Sequence, residues 1–170
     1  AAALLAAVMA VCAWITVPAP VPFTMQTFAI FLAVGVLGGK GGTLAVGVYL
    51  LLGAVGAPVL SGFSGGLGSF LGATGGYLIG FLLIALVMWG GERLLGQSRA
   101  AFFLFGLLGL AVCYGFGTAW FLLLYTAQNG PVALWTVLGW CVFPFLLPDL
   151  VKLALAYSLS CRLRRALKRP

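Results

Sequence analysis

From Ala100 to Thr126 the sequence runs without a single charged side chain. A helix over that stretch, rising 1.5 Å per residue, is long enough to cross the roughly 30 Å hydrocarbon core of a bilayer. Apolar runs near that length recur along the chain, and they leave few folds open. With 64% hydrophobic and 6% charged residues, a soluble core could not absorb this much apolar surface, so the sequence predicts a polytopic membrane protein. The expected fold is an all-α integral membrane bundle, one transmembrane domain over residues 1–170. A chain of 170 residues supplies five to seven spans and leaves no room for a separate catalytic or nucleotide-binding domain.

The polar inventory excludes most chemistry. There is no His, and Glu92 and Asp149 are the only carboxylates, which leaves little for metal binding or acid–base work. No Walker-type phosphate loop occurs, so ATP is not bound in that way. The expectation is a non-enzyme without metal or cofactor. Cys12, Cys113, Cys141 and Cys161 follow no metal or redox spacing and read as small buried hydrophobes. The net charge of +7 is not a nucleic-acid signal, because the basic residues map onto one side of a membrane.

In chain order, Ala1 to Val17 reads as an apolar helix. Its abrupt start gives the expectation that a few upstream residues are missing or were processed, and no basic n-region or convincing cleavage site marks it as a signal peptide. Ala2, Ala6 and Ala10 recur every four residues, beside Ala3 and Ala7. They form a smooth strip for close helix approach, within the bundle or against a partner. Val17-Pro18-Ala19-Pro20-Val21-Pro22 cannot continue a helix and reads as the first external loop. Phe23 to Gly38 and Thr43 to Gly56 are short spans joined by a return at Gly38-Gly39-Lys40-Gly41-Gly42. Leu78 to Gly91 completes the fourth span. Glu92 to Arg99 is a polar loop, Ala100 to Thr126 the fifth span, and Gln128-Asn129-Gly130-Pro131 a turn. Pro148 to Leu163 forms the last helix, with Pro148 suited to its first position.

Charge decides whether Val132 to Leu147 also crosses. With six crossings, Lys40, Arg93, Arg99 and the tail residues Arg162, Arg164, Arg165, Lys168 and Arg169 share one face. The loops at 18–22, 57–70 and 127–131 carry no Lys or Arg. By the positive-inside rule the basic face is cytoplasmic, with both termini on it. A seventh crossing would place the basic tail outside, so 132–147 reads as an outer-side helix or re-entrant cap.

Within Pro148-Asp149-Leu150-Val151-Lys152 the two charges lie inside an apolar stretch. Each costs roughly 2.5–3.5 kcal/mol at membrane depth on insertion scales, and three residues apart on a helix they share a face. Either they neutralise each other as a structural lock, or they form the polar floor of a small-ligand site. Asp149 precedes Arg162 by thirteen residues, about 20 Å of helix, which places the pair in the outer half of the bundle. The glycine-rich region from Ala57 to Tyr77 lies on that side too. Its glycines continue into the start of an apolar helix, where each costs about 1 kcal/mol relative to Ala. Close approach of a ligand or another helix would account for them. Tyr77, Phe63, Trp135 or Trp140 are candidate apolar walls, and capture of a small solute from outside is the functional expectation.

These residues carry a family resemblance. Val21-Pro22-Phe23-Thr24-Met25-Gln26-Thr27, Gly53-Ala54-Val55-Gly56-Ala57-Pro58-Val59, Gly65-Gly66-Leu67-Gly68 and Gly72-Ala73-Thr74-Gly75-Gly76-Tyr77-Leu78-Ile79-Gly80-Phe81, together with the Asp149/Lys152 pair, resemble the BioY family. Ala73 stands where that family usually has Pro. Members are biotin-binding S components of energy-coupling factor (ECF) transporters. The resemblance implies a six-transmembrane-helix bundle of the ECF S-component type in the prokaryotic cytoplasmic membrane. It also implies biotin capture at the external face and uptake driven by a T component and two ATP-binding subunits. The implied substrate-binding residues are Asp149, Lys152, Thr74, Gly75, Gly76, Tyr77, Gln26 and Gly65. The implied T-component contact is the strip of Ala2, Ala6 and Ala10. An S component for another vitamin, or a membrane scaffold or channel subunit locked by the ion pair, is the rival reading.

Overall fold

The computed structural model describes residues 1–18 and 21–167. Ala19 and Pro20 of the first loop, and Lys168 and Arg169 of the basic tail, lie outside the described residues. The helices are α1 (Ala2–Trp14), α2 (Gln26–Val55), α3 (Leu67–Leu71), α4 (Gly75–Leu95), α5 (Arg99–Asn129), α6 (Leu134–Cys141) and α7 (Phe143–Leu167). The proline-rich loop closes as a two-stranded antiparallel ribbon, β1 (Thr16–Val17) with β2 (Phe23–Thr24), in the register Thr16 to Thr24 and Val17 to Phe23. A short 3-10 turn occupies Ser61–Phe63.

Helix α2 is two helices. Gly38 has φ 78° and ψ 172°, a conformation open to glycine and strained for other residues. The chain reverses there, and a Cβ on Gly42 would stand 2.6 Å from the Cα of Val34, so the two arms lie back to back. The expected return at 38–42 is therefore confined to one residue, and helical structure resumes at Gly39. The Gly39 N–H donates to the Glu92 carboxylate at the end of α4. Gln97 Nε2 donates to Glu92 Oε1 at 2.5 Å, and Arg164 Nη1 donates to Gln97 Oε1 at 2.9 Å. These contacts bring the basic residues of α2, α4 and α7 to one end of the bundle.

Counted with both arms of α2, the bundle has six helical passes: α1, the two arms, α4, α5 and α7. Among the described residues, four helical stretches are long and apolar enough to cross a membrane, among them 134–166 taken as one, and α1 is shorter. Helix α2 packs on α1, α4 and α7, and α4 packs most extensively on α5. The interior holds Met9, Ile30, Phe31, Val46, Tyr49, Ile84 and Leu153, while Leu44, Leu51, Leu107, Leu123 and Leu155 point outward. An apolar belt over a tightly packed centre is the pattern of a multi-pass membrane protein.

One expectation about the start of an element is corrected. Helix α7 begins at Phe143, so Pro148 lies inside it rather than at its first position. The missing N–H removes one bond, to the Pro144 carbonyl, near the helix start, a loss that membrane helices tolerate when neighbours supply partners. On α1, Ala6 and Ala10 are buried and Ala2 half-buried, whereas Ala3 and Ala7 are exposed. The strip is thus turned toward α2 within the chain.

Candidate functional site

At the end of the bundle remote from the basic residues, a cavity of about 180 Å³ lies among α2, the glycine-rich segment, α4, α5 and α7. Its charged lining groups are the pair predicted from sequence. Lys152 Nζ donates to Asp149 Oδ1 at 2.8 Å, and both side chains are almost fully buried. Residues 149 and 152 meet because they stand one turn apart on α7. What the sequence did not reveal is how much else converges on them. Thr27 Oγ1 donates to Asp149 Oδ1 at 2.8 Å, and Tyr114 Oη donates to Oδ2 at 2.5 Å. Lys152 Nζ also donates to the Thr24 carbonyl at 2.7 Å and to Thr27 Oγ1 at 3.2 Å. Its charge lies 4.1 Å from the centroid of the Phe23 ring, a cation–π distance.

An ammonium has three donors, and all three of Lys152 have acceptors within the chain. A carboxylate offers about four lone-pair sites. Among the described residues three on Asp149 are taken, and one on Oδ2 is left to accept an N–H. Among the described lining residues the charges therefore cancel, and the cavity is equipped with one charge-assisted acceptor. Such an acceptor binds more strongly than a neutral one.

The other expected residues fall into two groups. Gln26, Thr74 and Tyr77 line the cavity. Gln26 Oε1 accepts from Thr24 Oγ1 at 2.8 Å and its Nε2 donates to Tyr49 Oη at 2.6 Å, while Tyr49 donates to the Val59 carbonyl at 3.0 Å. This chain of bonds ties both arms of α2 to the glycine-rich segment. Tyr77 Oη pairs with Thr118 Oγ1 at 2.9 Å. Gly65, Gly75 and Gly76 instead make close packing contacts. A Cβ at Gly65 would meet the Ala57 carbonyl, at Gly75 the Phe70 carbonyl, and at Gly76 the Trp120 side chain. Close approach is indeed what these glycines permit, and its partner is protein.

Of the candidate walls, Tyr77 faces the cavity. Phe63 is exposed and stacks on Trp14 with centroids 4.9 Å apart, Trp135 is exposed, and Trp140 packs edge-on against Tyr125. Phe81, Phe145, Cys113 and Cys141 supply the apolar wall instead. Cys12, Cys113 and Cys141 are buried as expected and Cys161 is partly so. Thr27 and Tyr114 were missed. Thr27 lies inside a motif quoted for the resemblance, and Tyr114 is a phenol in the middle of an apolar span, which is the available signal for it.

Fold and cavity together define a class: a multi-pass helical membrane protein that can hold one small molecule at one end of its bundle. The comparisons narrow it. The BioY family model matches residues 1–169, so the chain belongs to the BioY family. It is similar to the biotin transporter BioY of Thermotoga maritima, at 40% identity over 168 residues, covering 96% of this chain and 94% of that one. It is also similar to the probable biotin transporter BioY of Pyrococcus horikoshii, at 41% identity over 145 residues and 85% and 82% coverage. Among solved structures it is similar to the S component for biotin from an ECF-type ABC transporter, with a TM-score of 0.81 and 30% identity over 96% of this chain and 88% of that one.

Proposed function

We propose that this chain binds biotin from the outer side of a prokaryotic cytoplasmic membrane, with high affinity, as the S component of an ECF-type transporter. The observation that carries the reading is the free acceptor position on Asp149, buried at the floor of a neutral cavity. Biotin's ureido group needs an acceptor of this kind, because each buried polar group left unpaired costs about 1–3 kcal/mol. Asp149 takes a ureido N–H. Lys152 holds Asp149 in place and, by giving up its weakest bond, to Thr27 at 3.2 Å, supplies a donor to the ureido carbonyl. Tyr77, Gln26 and Thr74 shape the space around the rings. Gly65, Gly75 and Gly76 keep the covering segment close.

Orientation follows from charge. Lys40, Arg93, Arg99, Arg162, Arg164 and Arg165 gather at the end opposite the cavity, which makes that end cytoplasmic. Trp14, at the far end of α1, donates to the Pro58 carbonyl beside the cavity, so the N-terminal end of α1 and the basic end of α7 lie together. A T component and two ATP-binding subunits supply the energy. The T component docks on α1, where close packing of Ala2, Ala6 and Ala10 leaves Ala3 and Ala7 exposed beside them.

A titration of the detergent-purified chain, free of co-purified ligand, with biotin tests this reading. Trp14 and Trp120 are the reporters, because Trp120 donates to the Gly72 carbonyl at 3.0 Å and both indoles touch the covering segment. Saturation in the nanomolar range is expected, with thiamine and riboflavin failing to compete. A rival reading, a scaffold locked by the ion pair, gains support from the complete internal satisfaction of Lys152. It predicts no saturable ligand.

A further inference from the structure

We infer that the acid end of the bound molecule is held by uncharged hydroxyl donors at the rim of the cavity, so that amides of the acid are ligands nearly as good as the acid. The inference rests on the ligand reading above. Among the described residues, Lys152 is the one cation lining the cavity. It sits at the buried pole, with its donors directed to Thr24, Thr27 and Asp149. A ligand carboxylate brought to that pole would stand beside Asp149, and two adjacent carboxylates cannot both stay ionised without a large cost. The acid therefore points away from Asp149, toward the mouth.

The mouth has no basic side chain among the described lining residues. It presents Ser61, Ser64, Ser69 and Thr74. Thr74 precedes α4 without capping it by its side chain, so its hydroxyl is available. Ser64 is exposed, but its one O–H donates to the Ser61 carbonyl at 2.8 Å, so it adds an acceptor and the donors to the acid come from Ser61, Ser69 and Thr74. Hydroxyls accept as readily as they donate. They serve the carbonyl and the N–H₂ of an amide as well as they serve a carboxylate, apart from the extra strength of a charge-assisted bond. A buried salt bridge to the acid would behave differently, because the amide would strand the cation. The ligand class that follows is the ureido-ring acid together with its neutral acyl derivatives.

The test is competition of radiolabelled biotin by biotin amide on the purified full chain, at low and high salt. The amide is expected to bind within about tenfold of biotin, with little salt dependence of either. A larger loss for the amide overturns the inference while leaving biotin binding, and so the proposed function, intact. Failure of biotin itself to bind removes both. A second variant, Ser64→Lys, places a cation at the exposed rim and is expected to favour biotin over the amide at least threefold more than the parent does. An unchanged ratio means that the acid does not reach the rim, and overturns the inference.

Discussion

Replacing Asp149 by Asn preserves shape and removes one acceptor and one charge. In the parent, Oδ1 accepts from Lys152 and Thr27 at 2.8 Å each, and Oδ2 accepts from Tyr114. The amide oxygen is held at the Oδ1 position, because two donors converge there. The amide nitrogen then occupies the Oδ2 position, where it presents hydrogens to a ligand N–H instead of a lone pair. Loss of a hydrogen bond to a charged group costs about 1.5–3 kcal/mol, which is roughly 10- to 150-fold in affinity. Lys152 also loses its counter-charge, and breaking a buried pair from one side costs about 3–5 kcal/mol unless the survivor gives up its own charge. The double variant Asp149→Asn with Lys152→Met separates the two effects, since it leaves no unpaired cation. We expect the single variant to bind biotin at least tenfold more weakly while still folding. The double variant should regain thermal stability without regaining affinity. Calorimetric titration and intrinsic-fluorescence melting measure both quantities. Unchanged affinity in a folded Asp149→Asn protein would refute the role given to Oδ2 and return the pair to a purely structural lock.

Other expectations concern the residues that support the site. Tyr114→Phe removes the bond to Oδ2 and frees an extra lone pair there, so biotin binding should weaken by no more than about tenfold, with a small drop in melting temperature; a loss as large as that of Asp149→Asn would make the phenol itself a ligand contact. Gly38→Ala forces a left-handed φ on a residue with a Cβ, about 1–2 kcal/mol, and sets that Cβ 2.9 Å from Gln97 Nε2. Thermal unfolding should shift down while biotin affinity per folded molecule stays unchanged. Trp120→Phe should abolish much of the ligand-induced fluorescence change, whereas Trp135→Phe, at an exposed position, should leave it intact. A reversed result would place the ligand-sensitive environment at α6 rather than at the glycine-rich segment.

The spans and the charged pair were legible because each rests on local pattern. Apolar run length and three-residue spacing on one helix face are properties of neighbouring residues. The return at 38–42 was legible only in outline. Five residues with four glycines do not say which one breaks the helix, and it is the approach of Glu92 at the end of α4 and of Gln97 just beyond it that selects Gly38. The partners of Asp149 were hidden for the same reason. Thr27 and Tyr114 lie 122 and 35 residues away from it, and no periodicity encodes such distances. Tryptophans chosen as walls by amphipathic character turned out to be peripheral, since Trp135 and Trp140 belong to the short α6 and its contacts with α5 and α7.

The network also explains why a bundle would keep a charged pair where an apolar lock costs less. A buried pair is weak support for stability in itself, and Leu or Met in its place would pack α7 against α2 as well. An apolar lock cannot reach the Thr24 carbonyl. Through the 2.7 Å bond to that carbonyl, Lys152 ties β2, and with it the loop that contributes Val21 and Pro22 to the cavity wall, to Asp149. Any ligand group that draws Lys152 or Asp149 toward itself also shifts the hydrogen bonds of that loop. On the proposed reading, the pair thus couples the ligand acceptor to the loop at Val21 and Pro22. A direct consequence is that Lys152→Met, even paired with Asp149→Asn, should speed ligand dissociation more than it slows association. The change in each rate constant relative to the parent, read separately by stopped-flow fluorescence, distinguishes a tether from a mere counter-ion.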